Sequence, residues 1–346
     1  MSQIRINNLT NKTGTNGPVI AGVSTVSTSA FMVMPSGDTA IRGAGSGRML
    51  LMGGFGNAPA ATYQNQIQRL TIASTGNAID FGDMSTTRYV PGTCASSTRG
   101  IAGGGENPSG AATTIDYITI SSLGGANDFG NLRLGEVRFS VGLSDSTRGL
   151  IAGGYVAPAT DLSSIDFVTI ATTGNTSSFG DLTEQKLHCG ACASPTRGIV
   201  MGGYQSSPVN AALNTIEFIT IATGGDGTDF GSLTVESRQG AGLSNTTRGI
   251  QGGGSGSTAR NVIAFITIAT TGDAIDFGDL IAGAGWVGGG ASSTRGVFAG
   301  GYHSGGLNRI EFITIATTGD ATDFGDLVGP AVYGCAGLTD VHGGLG

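Results

Sequence analysis

Two kinds of apolar pattern alternate along the chain. The first is a short continuous run closed by glycines, as in Arg148-Gly-Leu-Ile-Ala-Gly-Gly-Tyr155, which predicts a strand buried on both faces. The second has period two. In Ile310-Glu-Phe-Ile-Thr-Ile-Ala316, residues Ile310, Phe312, Thr314 and Ala316 share one face, and Glu311, Ile313 and Ile315 share the other. A Thr-Gly-Asp or Thr-Gly-Asn turn follows, and the Ala-Thr-Asp-Phe-Gly-Asp-Leu segment ending at Leu327 predicts the strand that returns from the hairpin. A variable stretch such as Leu132 to Leu143 then has the length of a fourth strand.

Both patterns repeat. The arginine that opens the first stands at Arg99, Arg148, Arg197, Arg248 and Arg295, with a degenerate copy at Arg48, and the spacings are 51, 49, 49, 51 and 47 residues. The second begins at Ile67, Ile115, Ile165, Ile216, Ile263 and Ile310, and each copy carries a Phe-Gly pair, from Phe81 to Phe324. Four strands in about 50 residues is the size of a propeller blade of the kelch kind. One such sheet cannot bury both its faces, so the blades must stack around an axis. The expected fold is therefore an all-β, kelch-like β-propeller over residues 46–346. It has six blades, and the C-terminal strand completes the blade begun near residue 46. A seventh would require residues 28–45 and the tail from Val341 to add a partial sheet. Residues 1–45 stand outside the repeat and read as an extended N-terminal attachment arm.

Composition agrees. Of 346 residues 63 are Gly, 12% are charged and 39% are hydrophobic, so a core is affordable and strand-and-turn architecture is favoured over helices. A net charge of −7 without a Lys/Arg cluster argues against a nucleic-acid partner. The N-terminus lacks the pattern of a signal peptide, and the densest apolar run, Met49 to Met52, ends at Gly53, far short of a membrane helix. These features predict a soluble protein made in a cytoplasm, without membrane insertion.

The repeat Thr294-Arg-Gly-Val-Phe-Ala-Gly-Gly-Tyr302, followed by the Ile310–Leu327 segment, resembles kelch-like repeats of virion structural proteins from tailed phages, especially marine and cyanobacterial ones. The opening Ile4-Arg-Ile-Asn-Asn-Leu-Thr and the segment from Gly17 to Thr25 look like the start of tail-fibre or other appendage proteins of such phages. The resemblance implies a non-enzymatic particle component located in the virion, held through residues 1–45 to other virion proteins and homo-oligomeric there. A host receptor (glycan)-binding module and a capsid decoration protein are the alternatives.

Candidate chemistry is sparse. Cys189-Gly-Ala-Cys192 beside His188 lacks the second ligand pair that zinc needs. Cys94 and Cys192 each lie five residues before the repeat arginine, where another copy has Gly290, which suggests selection for small size in a crowded strand. His188, His303 and His342 fall at three different points of the repeat, so neither metal nor cofactor is expected. Arg99, Arg148, Arg197, Arg248 and Arg295 recur as often as Asp80, Asp128, Asp229, Asp276 and Asp323, which predicts an Arg–Asp pair within or between blades. The rival is an arginine ring that binds an anionic glycan. Phe55, Tyr155, Tyr204 and Tyr302, which follow Gly-Gly, and the sole tryptophan, Trp286, are candidates for stacking on a host cell-surface glycan or for packing between blades. Receptor contacts are expected on the variable loops 205–213 and 254–261.

Overall fold

A computed structural model of the chain describes residues 24–25, 32–33, 47–56, 61–158, 160–329 and 331–341. The chain divides into a unit Met1–Ala44 and a unit Gly45–Gly346. Of the first, the described part is an antiparallel pairing of Ser24–Thr25 with Met32–Val33; the attachment-arm reading otherwise falls outside the described residues.

The second unit is a six-bladed propeller, without a helix among the described residues. Each blade is an antiparallel sheet of four strands, to which the first adds Val332–Tyr333 as a fifth. In the third blade these are Val141–Ser144 on the axis, Arg148–Ala152, Ser164–Thr169 and Ser177–Asp181 at the rim. The variable segment thus supplies the innermost strand of the blade that follows it, with Val141 opposite Ala152 and Leu143 opposite Leu150. The equivalent axial strands are Gly92–Ala95, Gly190–Ala193, Ala241–Ser244 and Gly288–Ala291. The first blade begins at Arg48–Gly56, and its axial strand is Ala336–Thr339 from the far end of the chain, pairing Met49 with Thr339 and Met52 with Ala336. Each axial strand packs beside the next, and Ala336–Thr339 lies between those of the sixth and second blades. Among the described residues the ring closes at six.

The core lies at the joints. Six buried apolar clusters each draw on two adjacent blades. One of them joins Leu143, Ile165 and Phe179 of the third to Val200, Ile219 and Ile221 of the fourth. The Phe-Gly signature is the joint's hardware. A bulge between Ile165 and Asp166 in the pairing with the rim strand takes up the extra residue Phe179, which is buried in that cluster. The glycine after it lets the next blade's turn approach closely: at Gly130 a Cβ would stand 2.3 Å from Gly174 O. Through that gap the Gly174 N–H donates to Phe129 O at 2.7 Å and the Thr176 N–H to Asn131 O at 3.0 Å. The same two bonds recur at every joint, including Gly76 to Phe324 and Ala78 to Asp326 where the first blade meets the sixth.

The repeated arginines also stitch the joints, but not through the expected carboxylates. Nη1 of Arg48, Arg99, Arg148, Arg197, Arg248 and Arg295 donates to Ile120, Ile170, Ile221, Ile268, Ile315 and Ile72 O of the following blade, at 2.8–3.2 Å. Five of the six guanidinium groups also stack on an aromatic ring of their own blade, as Arg295 does on Phe312 at 4.7 Å. Asp80, Asp128, Asp229, Asp276 and Asp323 are exposed on the rim strands, and among the described residues none pairs with these arginines. The reason is geometric: the arginine ends over a strand terminus whose carbonyl oxygens lack partners, and these accept a charge-assisted bond. Ion pairs to buried carboxylates lie elsewhere, at the third-strand position of Asp116, Asp166, Glu217 and Glu311. Asp116 meets Arg88 at 3.0 Å with both side chains enclosed, and Glu217 meets Lys186.

The cysteine position is likewise governed by a partner rather than by size alone. Equivalents of Cys94 and Cys192 are Leu143, Leu243, Leu338 and Gly290, and each large residue fits against the glycine after the next blade's arginine. Cys94 Sγ would lie 2.3 Å from a Cβ at Gly149, and Leu143 Cδ1 2.5 Å from one at Gly198. At the closing joint the sizes are exchanged: Met49 follows Arg48, and it faces Gly290, where a Cβ would meet Met49 Sδ at 2.9 Å. Gly290→Leu alone should therefore lower stability by about 1–3 kcal/mol through overpacking. Combining it with Met49→Gly should recover part of that loss, as a denaturation double-mutant cycle would show. Arg248→Ala should cost about 1.5–3 kcal/mol and Asp276→Asn less than about 0.5 kcal/mol in the same assay.

Candidate functional site

Nine residues before each repeat arginine the chain turns onto the axial strand. Val90, Phe139, His188, Gln239 and Trp286 hold that position, and Gly334 holds it before the closing strand. All six have positive φ, between 50° and 64°. Only the last is glycine, although this backbone region costs an L-residue about 1–2 kcal/mol and is least accessible to a β-branched or bulky one. The turn lets each peptide join a ring around the axis. The Val90 N–H donates to Gly334 O, His188 to Phe139 O, Gln239 to His188 O, Trp286 to Gln239 O and Gly334 to Trp286 O, at 2.7–3.0 Å. Five of the six steps around this collar are thus hydrogen-bonded directly.

Side chains from the collar meet on the axis. Trp286 of the sixth blade lies 6.2 Å from Phe139 of the third, on the opposite side of the ring, and 4.5 Å from His188. Phe139 and His188 are 4.4 Å apart, and Tyr89 stands 5.0 Å from Trp286. Tyr89 continues the cluster outward to Phe55 and Tyr333, and Tyr333 to Tyr302. Below the collar a cavity of about 100 Å³ runs down to the waist of the axial strands. There the strands approach so closely that a Cβ at Gly142 would stand 2.1 Å from Thr93 O. Ser140, His188, Cys189 and Gln239 contribute polar or sulfur groups to the wall; Val90, Pro91, Trp286 and Val287 contribute apolar ones.

Burial, and secondarily the nearby Arg238 charge, pushes the His188 imidazole down to about 3, so it is neutral at physiological pH. Its Nδ1 is enclosed without a hydrogen-bond partner. Burial raises the Cys189 thiol to about 12, which leaves it protonated and a poor nucleophile. Cys189 and Cys192 do not act together: Cys189 lines the mouth, whereas Cys192 faces Gly249 at the next joint. Among the described residues no group of three metal-ligating side chains forms; His303 is exposed and His342 falls outside those residues.

Of the aromatic candidates, Trp286 belongs to the collar. Tyr155, Tyr204 and Tyr302 lie on the same face, each bridged through its backbone to the linker that leads into the collar, at Arg138, Leu187 and Gly285. Tyr155 carries the Arg138 guanidinium at 5.3 Å and Tyr204 that of Arg238 at 4.5 Å, while Tyr302 is exposed. Loops 205–213 and 254–261 follow the second strands of their blades, and in the latter Ser255 Oγ donates to Oε1 of collar residue Gln239 at 2.7 Å. Sequence reasoning did not find the collar. Its signal was a column of six different residues, nine before each arginine, in an otherwise uniform frame.

No family model matches the chain, and no curated protein matches it in sequence.

The buried imidazole makes a checkable demand. Unfolded histidine binds its proton near pH 6.5, while folded His188 binds it only near 3. Between those values the unfolded chain holds more protons, so the histidine's contribution is full above pH 6.5 and is lost as the pH falls. The slope is up to about 1.4 kcal/mol per pH unit. Chemical denaturation from pH 7 to 4 should show a steeper loss for the native chain than for His188→Asn.

Proposed function

We propose that this protein is a non-enzymatic structural component of a tailed-phage virion, in a tail fibre or comparable appendage, anchored by its N-terminal arm and displaying the propeller outward. The phage assignment draws on the resemblance of the repeat and of the opening segment to such proteins. The observation that carries the mechanical part is the closed ring. Repeated arginines, Phe-Gly bulges and rim turns are all committed to the six joints, and the chain's end is woven into its first sheet. Such a body transmits load without opening, which suits a part held between a particle and its surroundings. Its repeated arginines are engaged in holding blades together, so an arginine ring reading an anionic glycan is not part of the proposal.

Electron microscopy of purified particles, with antibody against the propeller, is expected to place the chain on an appendage. A chain lacking residues 1–45 should fold and yet fail to incorporate. Absence of the chain from purified particles, or density for it on the capsid shell alone, would overturn the appendage reading.

A further inference from the structure

Six copies of one joint let each contact be compared with its equivalents, and one side-chain contact is not repeated everywhere. After its rim strand each blade buries a Leu or Met, from Met84 to Leu327, and the residue that follows presents its N–H to the next blade. At four joints a polar side chain on the third strand of that blade accepts the bond. Ser85 N–H donates to Asp116 Oδ2 at 2.9 Å, Thr183 to Glu217 Oε2 at 2.6 Å, Ile281 to Glu311 Oε2 at 2.7 Å and Val328 to Gln68 Oε1 at 2.8 Å. Between the second and third blades the Arg133 N–H reaches Thr176 Oγ1 at 2.7 Å, and Thr176 donates in turn to Asp166 at 3.0 Å. The equivalent pair between the fourth and fifth blades is Thr234 and Ala264. Alanine has no acceptor to offer.

Neighbouring positions do not make up the loss. Ala264 pairs across the sheet with Gln251, which stands where the other blades have Leu51, Ala102, Ile151, Val200 and Phe298. The polar group has moved one strand inward, and there its buried amide nitrogen and oxygen have no hydrogen-bond partner among the described residues. The cation that meets the third-strand carboxylate in two other blades, Arg88 or Lys186, is replaced by Ser237. Thr234, Ser237, Gln251 and Ala264 together line a small cavity of about 10 Å³. The apolar cluster at this joint is also the smallest of the six, with 8 buried residues where the others have 9 to 12.

The rest of the joint is kept. Gly272 N–H donates to Phe230 O and Ala274 N–H to Ser232 O, both at 2.8 Å, and Arg197 reaches Ile268 O at 3.0 Å. On the other side of the fifth blade the bonds from Gly319 to Phe277 O and from Ala321 to Asp279 O are also 2.8 Å long. Two joints with the same backbone bonds thus differ in the side chains behind them. A lost cap, an unpaired buried amide and incomplete packing all favour opening of the same joint.

We propose that the joint between the fourth and fifth blades is a seam, at which the closed ring opens locally before any other joint does. The seam is a property of the folded chain and does not depend on the virion reading. Native-state hydrogen exchange on the full chain tests it. The Gly272 and Ala274 amides should exchange about tenfold faster than Gly319 and Ala321, the effect of roughly one lost hydrogen bond. Ala264→Gln copies the arrangement of Gln68 without burying a charge. It should slow exchange at Gly272 and Ala274 about tenfold, and not at Gly319 and Ala321. The reverse change, Gln68→Ala, should speed exchange at Gly76 and Ala78, where the sixth blade meets the first. Equal protection on both sides of the fifth blade, or unaltered rates at Gly272 and Ala274 in the Ala264→Gln chain, would overturn the proposal. So would a Gln68→Ala chain that keeps its native rates at Gly76 and Ala78.

Discussion

Everything in this ring depends on the joint between neighbouring blades. A four-stranded sheet with apolar residues on both faces has nothing to bury them against except its neighbour, and the six core clusters each span two blades. Burial alone is indifferent to register. Register comes from directional bonds: two backbone hydrogen bonds from each rim turn to the preceding blade's Phe-Gly segment, and one arginine to a third-strand carbonyl of the following blade. Every blade is thus fixed both at its rim strand and at its middle strands, and rotation of one blade against the next would break both sets of bonds.

The collar is the place where this economy is set aside. Elsewhere the repeat keeps the residue that its backbone prefers, including glycine where φ is positive in the Gly-Gly pairs at Gly153, Gly202 and Gly300. At the collar the backbone is held constant and the side chain is free to differ. The scaffold therefore separates two tasks, with joints that are uniform and a mouth that is individual.

Much of the fold was legible in the sequence, because periodic burial announces itself through period-two strands and glycine punctuation. Six blades and a closing strand follow from counting Arg48 to Arg295 and noting what remains after Leu327. The partners of the arginines were not legible. A repeat shows that Arg248 is reused but not what it reaches, and a carbonyl such as that of Ile315 has no letter of its own. Cys94 and Gly290 were misleading for a related reason, since each is set by the residue facing it, Gly149 or Met49, about 50 residues onward or across the closure. The collar was hidden because Val, Phe and Trp are the residues least expected at positive φ, and a column without a consensus looks like a linker. Blade contact, by contrast, left its mark in every copy.

The woven closure also has a temporal side. While the chain emerges from the ribosome, Arg48–Gly56 must wait for Ala336–Thr339, made almost 300 residues later, before its sheet has an axial strand. Until then the nascent protein is an open arc with one bare strand edge at its first blade and an unmatched apolar face at its last. Synthesis and closure are thereby coupled: a prematurely terminated product would keep the strand edge and the apolar face that Ala336–Thr339 covers in the closed ring.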